Sequence, residues 1–368
     1  MNRAKFHCIA LALLFIFSLA LPRAVRCESS IPWRLADKSY KIQLPADHAP
    51  HPDHRIEWWY FTGNLTDENG DEFGYQLTFF RIGLNNDQDN PSKLALRQIY
   101  ASHFAISSLS GTPGYWSAEH VRRTGLGIAG GSAERIWVEE QSVAIDGSRF
   151  LLAAAADGYE LNMQLVAERP AVLHGDNGYS RKGGEESNAS HYYSYTRLRS
   201  EGTIKWQGRP LKVKGTSWMD HEWGSSFLDK SSVGWDWFAL QLSDGSDLML
   251  FQIRPAKGGV SAFSTATLVD AKGKQAKFET AQIELRPLRF WRSEVSQNSY
   301  PVEWELKIPG YQLNVVAKLD SQEFVGSKDG LGISYWEGAV AARGSGVNGQ
   351  GYLEMTGYGN APLGPVEK

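Results

Sequence analysis

Along most of the chain apolar and polar residues alternate in short runs, each closed by Gly, Asn or Asp. "FGYQLTFF", "ASHFAISS", "GTIKWQ", "LMLFQIR" and "YLEMTGY" are of this kind. Successive side chains of a strand point to opposite faces, so such runs read as strands with one face toward a core. Few segments keep a 3.6-residue period for more than three turns. The turns agree, because "DENGDE", "AIDGSR", "SDGSD" and "DAKGKQ" hold the Asn-Gly, Asp-Gly and Lys-Gly pairs that hairpins use. The pattern predicts an all-β chain of many short antiparallel strands.

The runs also repeat. "GYELNMQLVAERP" (158–170) resembles "GYQLNVVAKLDSQ" (310–322), and "EWWYFTGNLTDENGDEFGYQLTFFR" (57–81) shares its plan with "WDWFALQLSDGSDLMLFQIR" (235–254). Both members of the second pair run acid beside Trp, strand, acidic Gly turn, apolar strand, Arg. Toward the end of each half, "HYYSYTRLRSEG" and "VKGTSWMD" are echoed by "ISYWEGAVAARG" and "GYLEMTGY". The order predicts an internal duplication: β domains over 37–224 and 232–362 with the junction near "GSSFLDKSS", each half long enough to close as a barrel or pack as a sandwich.

At the N-terminus Arg3 and Lys5 precede the apolar run "CIALALLFIFSLAL", and Ser18-Leu19-Ala20 is a small-residue site. This reads as a signal peptide over 1–20 followed by an arm over 21–36, with a secreted or periplasmic location expected. Cys8 leaves with the leader, so Cys27 has no partner for an internal disulfide. Arg26 disfavours lipidation of Cys27, and weak membrane association is expected only if that cysteine is lipidated. The formal charge of −3 and the lack of a basic stripe exclude nucleic acid as a partner. The chain carries 13 Trp, 15 Tyr and 16 Phe, side chains that suit sheet cores and pockets for an apolar small molecule. Oligomeric state is left open.

The densest chemistry is "WMDHEWG". On a strand Trp218, Asp220 and Glu222 share one face and Met219, His221 and Trp223 the other. His221, Trp223, Asp220 and Glu222 are the catalytic candidates: an acid or imidazolium protonates an alkene, an indole stabilises the cation, and a base delivers water. The alternative is structural, with Asp220, Glu222 and His221 serving only as hydrogen-bonded anchors. Trp58, Trp59, Trp218, Trp235, Trp237 and Tyr192 are candidate ligand-binding aromatics, expected to line a barrel. Glu57 and Asp236 head equivalent hairpins and are expected to anchor them by pairing with Arg81 and Arg254. "DHAPHPDH" sets His48, His51 and His54 beside Asp47 and Asp53, but Pro50 and Pro52 make it an extended loop without fixed geometry. No metal and no cofactor is assigned. The polar stretch "LHGDNGYSRKGGEESNASHYYSY", with Lys182 and His191, reads as a lid or a connection. No G-x-S-x-G elbow, P-loop or dinucleotide fingerprint occurs.

"HPDHRIEWWYFTGNL", "FGYQLTFFR", "VLHGDNGYSRKG", "HYYSYTRL", "GTSWMDHEWG", "GWDWFALQLSDG" and "YWEGAV" together resemble the AttH-like proteins related to carotenoid 1,2-hydratase, over roughly residues 40 to 360. The resemblance implies two lipocalin-like antiparallel β-barrel domains. It carries the hydratase's His-x-Trp pair onto His221 and Trp223, while the Tyr and Asp of that family's next strand have no match in "DLMLFQIR", where Asp247 and Gln252 are the polar residues. The expected function is an exported binder or carrier of a lipid, isoprenoid or polyene ligand. The alternative is a hydro-lyase adding water to an isoprenoid C=C.

Overall fold

Each alternating run becomes a strand, and the strands assemble into two antiparallel, barrel-like sheets of 13 and 10 strands with almost no helix. The computed structural model describes residues 32–86, 92, 95–226, 228–229, 231–327 and 330–359. The expected leader, Cys27 and most of the arm lie outside the described residues.

The two sheets share one strand order. In the first, Ile56–Asp67 pairs on one side with Glu72–Gly83, followed by Gln98–Ser108 and Gly114–Arg123. On its other side it pairs with Arg209–Ser226, followed by Ala189–Trp206, Tyr159–Ala167 and Arg149–Ala156. In the second, Ser232–Leu242 leads to Asp247–Pro255, Thr265–Val269 and Gln275–Glu279 on one side. On the other it meets Val347–Thr356, then Tyr335–Gly344, Tyr311–Ala317 and Ser299–Ile308. In both units the first strand is zipped to the last, and the repeated sequence segments occupy matching places in that order. One sheet is nearly closed and the other is a half-barrel, consistent with the expected pair of lipocalin-like barrels with unequal closure.

Three apolar layers result. Trp59, Phe61, Phe79, Phe104 and Tyr193 belong to the core of the first unit, and Phe238, Leu240, Trp304 and Trp336 to that of the second. The third layer lies between the sheets and contains Tyr60, Tyr192, Trp218, Trp237, Phe251 and Tyr352. It forms because "WWYFTGNL" and "WFALQL" are apolar on both faces, and a strand of that kind must be covered on both sides. Gly74 lets the sheets approach: a Cβ there would stand 2.6 Å from the Tyr352 hydroxyl and 3.1 Å from the Ala339 Cβ. Polar bonds set the mutual position of the units, including Gln76 Nε2 to Tyr335 Oη at 2.7 Å and Gln241 Nε2 to the carbonyls of Thr196 and Ser217 at 2.8 and 3.0 Å.

Candidate active site

Strand alternation divides "WMDHEWG" between two layers. Register pairs Asp220 with Tyr60 and Ser194, all facing the layer between the units, whereas His221 lies opposite Trp59 and Tyr193 in the core of the first unit. The four catalytic candidates therefore do not form one constellation: His221 and Trp223 are on one side of the sheet, Asp220 and Glu222 on the other. The alternation read from the sequence holds, and because of it the working set of His221, Trp223 and one of the two acids does not assemble.

On the inter-unit side the buried Asp220 carboxyl is held at three points. Trp218 Nε1 donates to Oδ1 at 2.6 Å, Ser194 Oγ contacts Oδ1, and Tyr192 Oη lies 2.6 Å from Oδ2. Behind these, Trp237 Nε1 donates to Tyr192 Oη at 3.1 Å, and His174 Nε2 lies 2.7 Å from Ser194 Oγ. Burial pushes Asp220 up to about 7, against the three hydrogen bonds and with a contribution from Glu222. An indole N–H can only donate, so Trp218 holds Oδ1 as an acceptor, while the Tyr192 hydroxyl donates to Oδ2. Glu222 contacts Ser190 Oγ and lies 3.1 Å from Lys182 Nζ. That ammonium stands 3.9 Å from the Phe251 ring and 4.9 Å from the Tyr192 ring, within cation–π range.

The second unit adds two carboxyls. Glu337 and Glu354 are direct cross-strand partners. Glu337 is buried, accepts from Tyr60 Oη at 2.5 Å, and is raised well above the usual range by burial and by Glu354. Half-buried Glu354 is pushed up to about 8 by desolvation and by Asp220, with Trp235 hydrogen-bonded to it in opposition. A cavity of about 10 Å³, room for roughly one water, lies in the same layer and is lined by Thr62, Ser217, Trp218 and Tyr352 among others.

Of the ligand-binding candidates, Trp218, Trp237 and Tyr192 are buried in this layer, and Trp58 and Trp235 pack on it while partly exposed. These five do not line a barrel, which is a correction; Trp59 does, stacked at 4.7 Å on His221. The stretch read as a lid or a connection is tied down by pairing: Tyr179–Arg181 and Val172–Leu173 pair with the 189–206 strand, and Lys182 is buried. Sequence reading missed Tyr60, Glu337 and Glu354. Their signal was present, since an acid in the middle of an apolar strand such as "YWEGAV" or "YLEMTGY" is rarely buried without a partner.

In the core of the first unit Glu57 is fully buried. Arg81 Nε donates to Oε2 at 2.7 Å, the His51 backbone N–H donates to Oε2 at 2.9 Å, and His51 Nδ1 and His221 Nε2 lie 2.7 and 2.9 Å from Oε1. Burial alone would raise this carboxyl, but Arg81, His51 and His221 outweigh it and hold Glu57 well below the usual range. His221 Nδ1 is 3.0 Å from Tyr193 Oη, so both ring nitrogens are bonded. Asp236 is the counterpart in the second unit, with Arg254 Nε at 3.3 Å and Tyr358 Oη donating at 2.8 Å. Asp247 is clasped by Arg169 and Arg197, and Gln252 Nε2 lies 3.4 Å from Asp236, so neither faces the inter-unit acids.

Residues 35–358 match the family model described as AttH-like. The crystal structure of an AttH-assigned protein from Nitrosomonas europaea superposes with a TM-score of 0.82 at 34% identity, covering 89% of this chain and 100% of that one. Kievitone hydratase from Nectria haematococca superposes with a TM-score of 0.66 at 18% identity over 89% of this chain and 96% of that one, a likeness of fold. In sequence, 159 residues are 29% identical to kievitone hydratase of Fusarium solani subsp. phaseoli. That match takes in 40% of this chain and 42% of the enzyme, less than half of its length.

Proposed function

The chain belongs to the AttH-like family, and from that premise we propose that it is an exported hydro-lyase that adds water to a C=C bond of an apolar, isoprenoid-type substrate between its two β units, whose packed layer, with room for roughly one water, must part to admit that substrate. The observation that carries this reading is Asp220, a buried carboxyl pushed up to about 7 and set among indole and phenol rings. Retaining a proton on a large share of molecules near neutral pH, it supplies the acid that hydration requires. Its proton passes to one alkene carbon. The cation left on the other carbon faces the rings of Trp218 and Trp237, whose π clouds stabilise positive charge. Water adds to that carbon, and its spare proton returns to Asp220, so one water is added and the acid is regenerated. Glu337 and Glu354 keep the layer acidic, and Tyr192 and Ser194 orient the carboxyl.

The relationship to a hydratase supports this reading over a non-catalytic carrier. The test is Asp220→Asn, an isostere that keeps the bonds to Trp218 and Tyr192 but has no acid proton. Prenylated alkenes incubated with wild-type protein are expected to gain the mass of one water. The variant is expected to lose about 10²- to 10⁴-fold in rate, and the wild-type rate should fall as pH rises through about 7, where the acid is lost. An Asp220→Asn protein that hydrates the same substrate at the wild-type rate would refute the assignment.

A further inference from the structure

Five of the nine histidines, His48, His51, His54, His191 and His221, gather at one end of the first unit, and the hydration reaction uses none of them. At their centre three residues from three separate segments converge: His51 from the loop after the short turn Ala46–His48, Glu57 from the 56–67 strand and His221 from the 209–226 strand. One donor atom of each lies within 4.8 Å of the other two. We propose that His51, Glu57 and His221 form a binding site for a divalent transition metal of the Zn²⁺ type, a two-histidine, one-carboxylate centre.

The surroundings of the three residues carry the proposal further than their convergence does. A metal-bound imidazole must present a lone pair to the ion and hold its proton on the other nitrogen, where an acceptor normally fixes the ring. Both histidines have that acceptor. His51 Nε2 lies 3.4 Å from Asp47 Oδ1, and Asp47 is itself fixed by the Gln43 backbone N–H at 2.6 Å and Tyr40 Oη at 2.7 Å. His221 Nδ1 lies 3.0 Å from Tyr193 Oη, which is 2.6 Å from His48 Nδ1. Tyr193 can therefore accept from His221 while donating its own proton to His48. Glu57 is likewise prepared, because Arg81 Nε takes Oε2 and the His51 backbone N–H spans both oxygens, at 2.9 Å from Oε2 and 3.2 Å from Oε1, with Oε1 the oxygen that faces both imidazoles.

The protein walls suit a held ion. Trp223 stacks on His51 with ring centres 3.9 Å apart and planes 1° from parallel, and Trp59 stacks on His221 at 4.7 Å, so neither imidazole is free to rotate. His221 and Glu57 are fully buried, and the His51 side chain is 15% exposed, which gives an ion an entry side and leaves a coordination position for water. Imidazole with carboxylate selects Zn²⁺ and its neighbours over Mg²⁺ or Ca²⁺, which prefer all-oxygen shells. The "DHAPHPDH" segment, whose prolines leave the loop without intrinsic geometry, thus supplies one ligand, and the strands supply the geometry.

The experiment is titration of the full chain, stripped of metal by chelator dialysis, with Zn²⁺ and with Co²⁺. One equivalent of Zn²⁺ is expected to bind by calorimetry and to raise the melting temperature, and Co²⁺ is expected to give visible d–d absorption that Zn²⁺ abolishes. His51→Ala, on the partly exposed loop, is expected to weaken Zn²⁺ binding by about 100-fold or more, whereas His120→Ala, at a separate site beside Glu139, leaves it unchanged. If His51→Ala fails to fold, the Co²⁺ spectrum of the unmutated protein decides alone. Absence of stoichiometric binding in the wild type, or equal affinity in folded His51→Ala, would overturn the proposal.

Discussion

A single carboxylate shows how much its neighbours matter. Glu57 and Asp220 are both buried acids on adjacent paired strands, yet Glu57 is held ionised by Arg81, His51 and His221 while Asp220 has only neutral donors and rises to about 7. Their effects on stability have opposite signs. Asp220 has a folded pKa above its unfolded one, so its contribution is fully present below about 4 and is lost as pH rises through about 7. Asp220→Asn removes that dependence. The melting temperature of the variant minus that of the wild type should therefore climb between pH 4 and 7 and level off above, measured by thermal denaturation across that range. A constant difference would show that Asp220 titrates normally.

At the scale of the element, the strand's two-residue period decides which chemistry meets which. The 209–226 strand serves the metal candidate with one face and the acid candidate with the other, and the 189–206 strand does the same through Tyr193 and Tyr192. Close contact of the two sheets depends on small residues at their crossing. Gly74→Ala would drive a methyl group into the Tyr352 hydroxyl and the Ala339 side chain, both buried. The expected cost is about 1 to 3 kcal/mol, read from denaturant midpoints. An unchanged midpoint would mean that the sheets part there without strain.

For the whole molecule, the layer between the units joins them into one body. It buries Tyr60, Tyr192 and Trp218 from the first unit against Trp237, Met249 and Tyr352 from the second, along with Asp220 and Glu337. Residues 37–226 or 232–359 produced alone would expose that face. Neither half is expected to melt cooperatively or to show the near-ultraviolet circular dichroism of packed aromatics, and both should bind a hydrophobic dye. A half that melts in a single sharp transition with that dichroism intact would show that the layer is dispensable for folding.

Much of this was legible in the residue order. Alternation and turn chemistry determine the all-β class, because strand faces and hairpin turns are local properties. The repeated segments determine the duplication, and the repeated acid and arginine anticipate the Glu57–Arg81 and Asp236–Arg254 pairs, since equivalent strands place them side by side. Alternation likewise separates Asp220 from His221. What covers each face is a long-range matter that no local pattern encodes. Only the packing of one sheet against the other brings Glu337 and Glu354 to Asp220, and only the fold of the 44–55 loop brings His51 to Glu57 and His221. Proton affinity and metal affinity both arise from desolvation and from neighbours distant in sequence, so the tertiary structure alone decided which acid is charged, which is neutral, and which histidines meet.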